Sequence, residues 1–147
     1  MVMGVVRGGR RQDQRGAAAV EFALVLPLLL LLVFGIIAYG YMLSFRQSMS
    51  QAAAEGARAA AVNVNAGARE SEAIRAVEEA LSAYGVSCSD PGMECDYTLV
   101  SGGSTCSTQC AEITLTYDYE SEPLIPLPLV GFAMPDTLSY GASARVS

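Results

Sequence analysis

From Phe22 to Phe45 the chain runs through 24 residues without a formal charge, FALVLPLLLLLVFGIIAYGYMLSF. A helix rises about 1.5 Å per residue, so about 20 apolar residues cross the hydrocarbon of a bilayer, and this run spans it with some tilt. The run is too long, and its flanks too unlike each other, for the buried helix of a small domain. Tyr39, Tyr41 and Phe45 stand toward its later end, where aromatic rings favour the membrane–water interface. A cleaved secretory signal competes with this reading, because Ala38 and Gly40 weakly fit a small-x-small cleavage pattern after a basic start. The apolar stretch, however, outruns the roughly 7–15 residues of such a signal and continues past that point.

Charge is segregated around the run. Residues 1–16 hold Arg7, Arg10, Arg11 and Arg15 against Asp13, a balance of +3. The rest holds five Arg against fourteen acids, a balance of −9, and the two recover the net −6. The positive-inside rule then places the N-terminus in the cytoplasm and the acidic remainder across the inner membrane. An acidic outer part excludes nucleic acid as a partner, since phosphate binding needs a basic surface. Lys and His are absent. Without His the commonest general base and metal ligand are missing, so no enzyme, catalytic residue, metal or cofactor is expected.

Glu21 is the odd residue, a carboxylate at the inner end of an apolar helix. Such a group costs up to about 2.5–3.5 kcal/mol at the bilayer centre and less near an interface. It either snorkels to the headgroups or serves a function with a partner to be named. The spacing favours the second. A cut after Gly16 makes Ala17 the new N-terminus, one helical turn from Glu21 and on the same face. The freed ammonium could then neutralise Glu21 in its own chain or in a staggered neighbour. Pro27, six residues into the run, removes a backbone hydrogen bond and predicts a local kink.

Gly16, a small residue after it, Glu21 and an uncharged run together resemble the prepilin peptidase site of type IV pilins. AAAVEFALVLPLLLLLVFGIIAYGYM and the later QAAAEGARAAA resemble, more closely, the TadE-like proteins of the tight-adherence (Tad) pilus system. ITLTYDYESEPLIPLPLVGF through LSYGASARV is similar to that family's usual ending of a strand, a Pro-rich loop and a last strand. The resemblance implies cleavage between Gly16 and Ala17 by an inner-membrane prepilin peptidase. It implies a role for Glu21 in subunit recruitment or alignment, with other pilin or pseudopilin subunits and the inner-membrane assembly platform as partners. Family members often carry a second acid near the outer end of the helix, where this chain has Ala38 and Tyr39.

Beyond the run, a Pro-free stretch rich in Ala, Gln and Met continues the helix to about Val62. Gly40, Ser44, Ser48, Ala52, Gly56 and Ala60 form a column of small residues that lets another helix backbone approach. Glu55 and Arg58 read as a surface pair. Asn63 to Gly67 reads as a break. Residues 68–84 predict an amphipathic helix with Ile74, Val77, Leu81 and Tyr84 inward, stopped at Gly85. Its acids, Glu70, Glu72, Glu78 and Glu79, read as a solvated face. Three strands follow: Tyr97–Ser101 before a Gly102-Gly103 turn, then alternating Ile113, Leu115, Tyr117 and Tyr119, then Leu138, Tyr140, Ala142, Ala144 and Val146. Between the last two, Pro123, Pro126, Pro128 and Pro135 hold open an apolar loop. Its Leu124, Ile125, Leu127, Leu129, Val130 and Phe132 read first as core cover and second as a partner contact.

Cys88, Cys95, Cys106 and Cys110 are even in number and fall on the oxidising side of the expected topology. Two disulfides are expected, with three pairings open. Zinc is disfavoured by the lack of His and of any C-x-x-C.

The fold expected is α+β: a long membrane helix continuing into a small extracytoplasmic domain with a second helix and an antiparallel sheet. Its parts are a basic leader at 1–16, a transmembrane helix at 17–45, a helical region at 46–84 and a disulfide-bearing β-rich region at 85–147. The function expected is that of a minor pilin or pseudopilin, since shaft subunits of such systems, as the resemblance goes, are much shorter. An uncleaved, signal-anchored binding module shares the same topology. An extracytoplasmic hydrolase fails for want of His and of a recognisable nucleophile setting.

Overall fold

The computed structural model describes residues 13–101, 106, 108–126 and 134–146, with side chains from Gly16 onward. The side chains of Arg7, Arg10, Arg11 and Arg15 lie outside the described residues. So do Gly102, Gly103, Leu127, Pro128, Leu129, Val130 and Phe132. The chain divides into two compact units, Met1–Ile37 and Ala38–Ser147.

Helix α1, Asp13–Val62, belongs to both units. In the first unit its residues from Gly16 to Ile37 are exposed on every side, Gly35 alone being half-buried. Leu24 and Leu28 show 75% and 69% of their surface. Leu and Ala are strong helix formers, and the helix runs through Pro27. A helix apolar all round, with no cover among the described residues, is suited to hydrocarbon.

The second unit is an α+β domain. From Ala38 onward α1 becomes one-sided, with Ala38, Met42, Phe45, Met49, Ala52, Ala53, Ala57 and Ala60 buried at spacings of three and four. After Val62 the Asn65 side chain accepts from the Gly67 backbone N–H at 3.1 Å and caps a 3₁₀ turn, Ala66–Ala68. Helix α2 spans Arg69–Leu81 and ends in a 3₁₀ turn, Ser82–Tyr84, then Gly85 at φ +66°. That left-handed stop is the one expected of Gly85. The inward stripe of α2 is Ala73, Val77 and Leu81, while the expected Ile74 lies at its edge, half-buried.

The sheet has the order β1-β2-β3, all antiparallel, from Met93–Ser101, Gln109–Asp118 and Thr137–Arg145. β1 starts four residues before the expected Tyr97, because Met93, Cys95 and Tyr97 continue the same alternation through Glu94 and Asp96. In register, Tyr97 faces Ile113, which faces Ala142, and Cys95 faces Leu115, which faces Tyr140. Ala111, Ile113, Leu115 and Tyr117 turn inward onto Phe45, Met42 and Met49 of α1 and Val77 and Leu81 of α2 in one core. Thr114, Thr116 and their neighbours on β1 and β3 form a polar outer face.

Candidate functional site

Two places in the molecule combine chemistry with unusual surroundings. The first is the start of α1. The helix begins at Asp13, so the Gly16–Ala17 bond lies in its first turn. Gly in a helix costs about 1 kcal/mol relative to Ala, which weakens that turn. Gly16, Ala17 and Glu21 are all exposed, and a Cβ built on Gly16 meets nothing within 4 Å. No described residue pairs with the Glu21 carboxylate. Around it Val20, Phe22, Leu24 and Val25 are exposed apolar surface. A carboxylate there attracts a cation, and the face it shares with residue 17 is where a new N-terminal ammonium would stand.

The second is the end of the domain where α1 enters it. Phe45, fully buried, meets Tyr84 edge-on at a centroid distance of 5.2 Å and Tyr117 at 5.0 Å. Tyr84 also meets Tyr41 at 5.5 Å and shares a hydrogen bond of 2.6 Å with the Ser44 hydroxyl. Arg46 donates from Nε to the Tyr140 hydroxyl at 2.6 Å, fastening the helix to β3. The Tyr117 hydroxyl donates to the Glu122 carbonyl at 2.8 Å and draws the segment after β2 against the same aromatic group. Burial, and then the nearby Glu122 charge, push the Tyr117 hydroxyl above its ordinary pKa, so it stays a protonated donor. Asp118 closes the following turn, accepting from the Ser121 N–H at 3.1 Å. Hydrogen bonds from Ser121, side chain first and then backbone, hold its carboxyl below the usual range.

The column of small residues is occupied within the chain only in its later part. Gly40 has open space around it, Ser44 bonds Tyr84, and Ala52 and Ala60 are buried. A Cβ on Gly56 would stand 2.7 Å from Val77 Cγ2 and 3.2 Å from the Ala73 carbonyl oxygen. The partner helix is therefore α2. Arg69 is buried and donates from Nε to the Asn63 carbonyl at 3.0 Å, at the C-terminal end of α1, where a cation is favoured. Glu55 and Arg58 make an exposed pair at 3.6 Å.

The cysteines pair as Cys88–Cys95 and Cys106–Cys110. The first ties the segment after α2 to β1, and the second closes a short loop into β2. Leu124 and Met134 pack on the core from the Pro-rich loop. No group of three or more metal-ligating side chains occurs among the described residues. Sequence reasoning missed the Arg46–Tyr140 bond and the Arg69 cap. The signals were only that Arg46 ends the uncharged run inside α1 and that Arg69 follows the break after it.

Residues 16–58 match the family model described as TadE-like protein. No curated protein and no solved structure matches the chain.

Proposed function

We propose that this chain, TadE-like over residues 16–58 and so pilin-like and related to the Tad pilus, is a minor pilin or pseudopilin cut after Gly16. The observation that carries the reading is the form of α1. An apolar stretch exposed all round begins at Gly16, where the family match also begins, and holds one acid five residues on, with no partner among the described residues. Prepilin peptidase removes the basic leader, and the helix holds the protein in the inner membrane with its C-terminal domain outside. Glu21 meets the Ala17 ammonium of its own chain or of a neighbouring subunit on the assembly platform. The parts are the leader 1–16, the membrane helix from 17 to at most 45, the helical region to 84 and the disulfide-bearing region 85–147. Its role in the pilus is structural, as a substrate of the peptidase and then a component of the assembly.

The test is the intact mass and N-terminal sequence of the protein from native membranes, beside Gly16→Ala and a peptidase-deficient strain. A chain starting at Ala17, lost in both controls, is expected. A second reading, an uncut signal-anchored module, draws on the helix starting at Asp13, before the scissile bond. An intact leader in the wild-type protein would select it.

A further inference from the structure

The lipid-exposed helix has no slack. Between Glu21 and the point where protein first covers the helix, Ala38, lie 16 residues, Phe22–Ile37, with a length of about 24 Å. Counting from Ala17 gives 21 residues and about 31 Å, against a hydrocarbon core of about 30 Å. The last eight residues of the uncharged run, Ala38–Phe45, are already part of the domain. The end of the domain that surrounds them therefore stands at the level of the headgroups, or is drawn into them to relieve mismatch.

That end has the surface such a position needs. Tyr39 is 48% exposed and Leu43 39% exposed, and Tyr41 and Tyr84 are half-buried beside them. The segment after β2 is held against this group by the Tyr117–Glu122 bond, with Pro123 and Leu124 lining one cleft with Tyr84; Pro123 and Pro126 are exposed and Ile125 is half-buried. Glu120, Glu122 and Asp136 are exposed near the same turn, whose ends meet where the Tyr119 N–H donates to the Asp136 carbonyl at 2.8 Å. Tyrosine rings with wet hydroxyls, short apolar tips and a ring of carboxylates suit an interface and forbid deep insertion.

We infer that the helix-entering end of the outer domain, at Tyr39, Tyr41, Ile125 and Pro126, is seated on the phospholipid headgroups of the outer leaflet. The inference rests on the membrane-anchored reading above. The carboxylates favour a zwitterionic surface over an anionic one.

The chain has no Trp, so one introduced Trp reports alone. Full-length Pro126→Trp and Ile125→Trp, at the seated end, and Val64→Trp, at a 95% exposed position after α1, are reconstituted in phosphatidylcholine–phosphatidylethanolamine vesicles. The vesicles carry either headgroup spin labels or brominated acyl chains. The expected result is that Pro126→Trp and Ile125→Trp lose most of their emission to the headgroup label and less to bromine, with a blue-shifted maximum. Val64→Trp is expected to keep its emission. Vesicle-floating protein with no quenching at 125 or 126 overturns the seating and leaves the anchor standing. Equal quenching at 64 and 126 overturns it in favour of a domain lying on its side. Failure to float with the vesicles overturns the seating and the anchor together.

Discussion

The two halves of α1 are built from much the same letters and meet different surroundings. Before Ala38, Leu, Val, Ile and Phe point in every direction and no described residue outside the helix covers them. After it, apart from Tyr39, Leu43 and the terminal Val62, the large apolar side chains keep to one face, and Gln47, Ser50, Gln51, Glu55 and Arg58 hold the other. Phe34 is 48% exposed, while Phe45, eleven residues on, is fully buried. Hydrophobicity alone does not say what solvent a side chain meets; the period of the pattern does.

The sharpest way to break this comparison is to truncate both rings. Phe45→Ala leaves a hole among Tyr84, Tyr117 and Met42, and is expected to destabilise the domain by about 3–5 kcal/mol. Phe34→Ala removes a ring with no protein packed on it and is expected to leave domain unfolding in detergent unchanged. Denaturant unfolding followed by circular dichroism measures both, and equal effects would erase the distinction.

The disulfides come next. Replacing Cys88 and Cys95 together by Ser releases a short loop, which in chain-entropy terms is expected to cost about 2.5 kcal/mol of domain stability. The membrane half should be indifferent to it, so vesicle flotation of the double variant should match the wild type.

A second matched pair uses glycine. Gly56→Leu forces a side chain against Val77 and the Ala73 carbonyl, and is expected to cost about 1–3 kcal/mol by overpacking. A Cβ on Gly35 meets nothing within 4 Å, and Gly35→Leu is expected to change domain stability negligibly. The same unfolding experiment separates them.

The smallest expected effect is a pH dependence at the turn after β2. Asp118 titrates below its ordinary range when folded. Its contribution is therefore complete above the usual carboxylate pKa and is lost as pH falls through the lowered one. Asp118→Asn is expected to lower the melting temperature slightly at neutral pH and to leave it at the wild-type value in acid, so that thermal melts in the two buffers show a smaller fall.

Much of this was legible in advance. The alternation of Ile113, Leu115 and Tyr117 and of Leu138, Tyr140 and Ala142 located two strands, and the stripe of 77 and 81 located α2. Gly85 marked its stop. The limit of the free membrane helix was not legible, because Met42 and Phe45 are as apolar under a protein cover as they would be in lipid. The register of the strands and the cysteine pairing depend on contacts between distant segments, which local pattern does not encode. Gly56 was visible as one of a column, yet nothing in the column itself said that the approaching backbone would be α2. At the start of α1, spacing singled out Gly16, Ala17 and Glu21, and the structure adds no contact to them from other described residues.

Both disulfides close between residues 88 and 110, so neither sulfur bridge reaches α1. A load applied to α1 passes to the sheet through side chains in shear: the Phe45 ring, the Arg46–Tyr140 bond and the Gly56 seam. Oxidation toughens the sheet while leaving this joint without a sulfur bridge, so that its breaking load is set by packing and the Arg46–Tyr140 hydrogen bond.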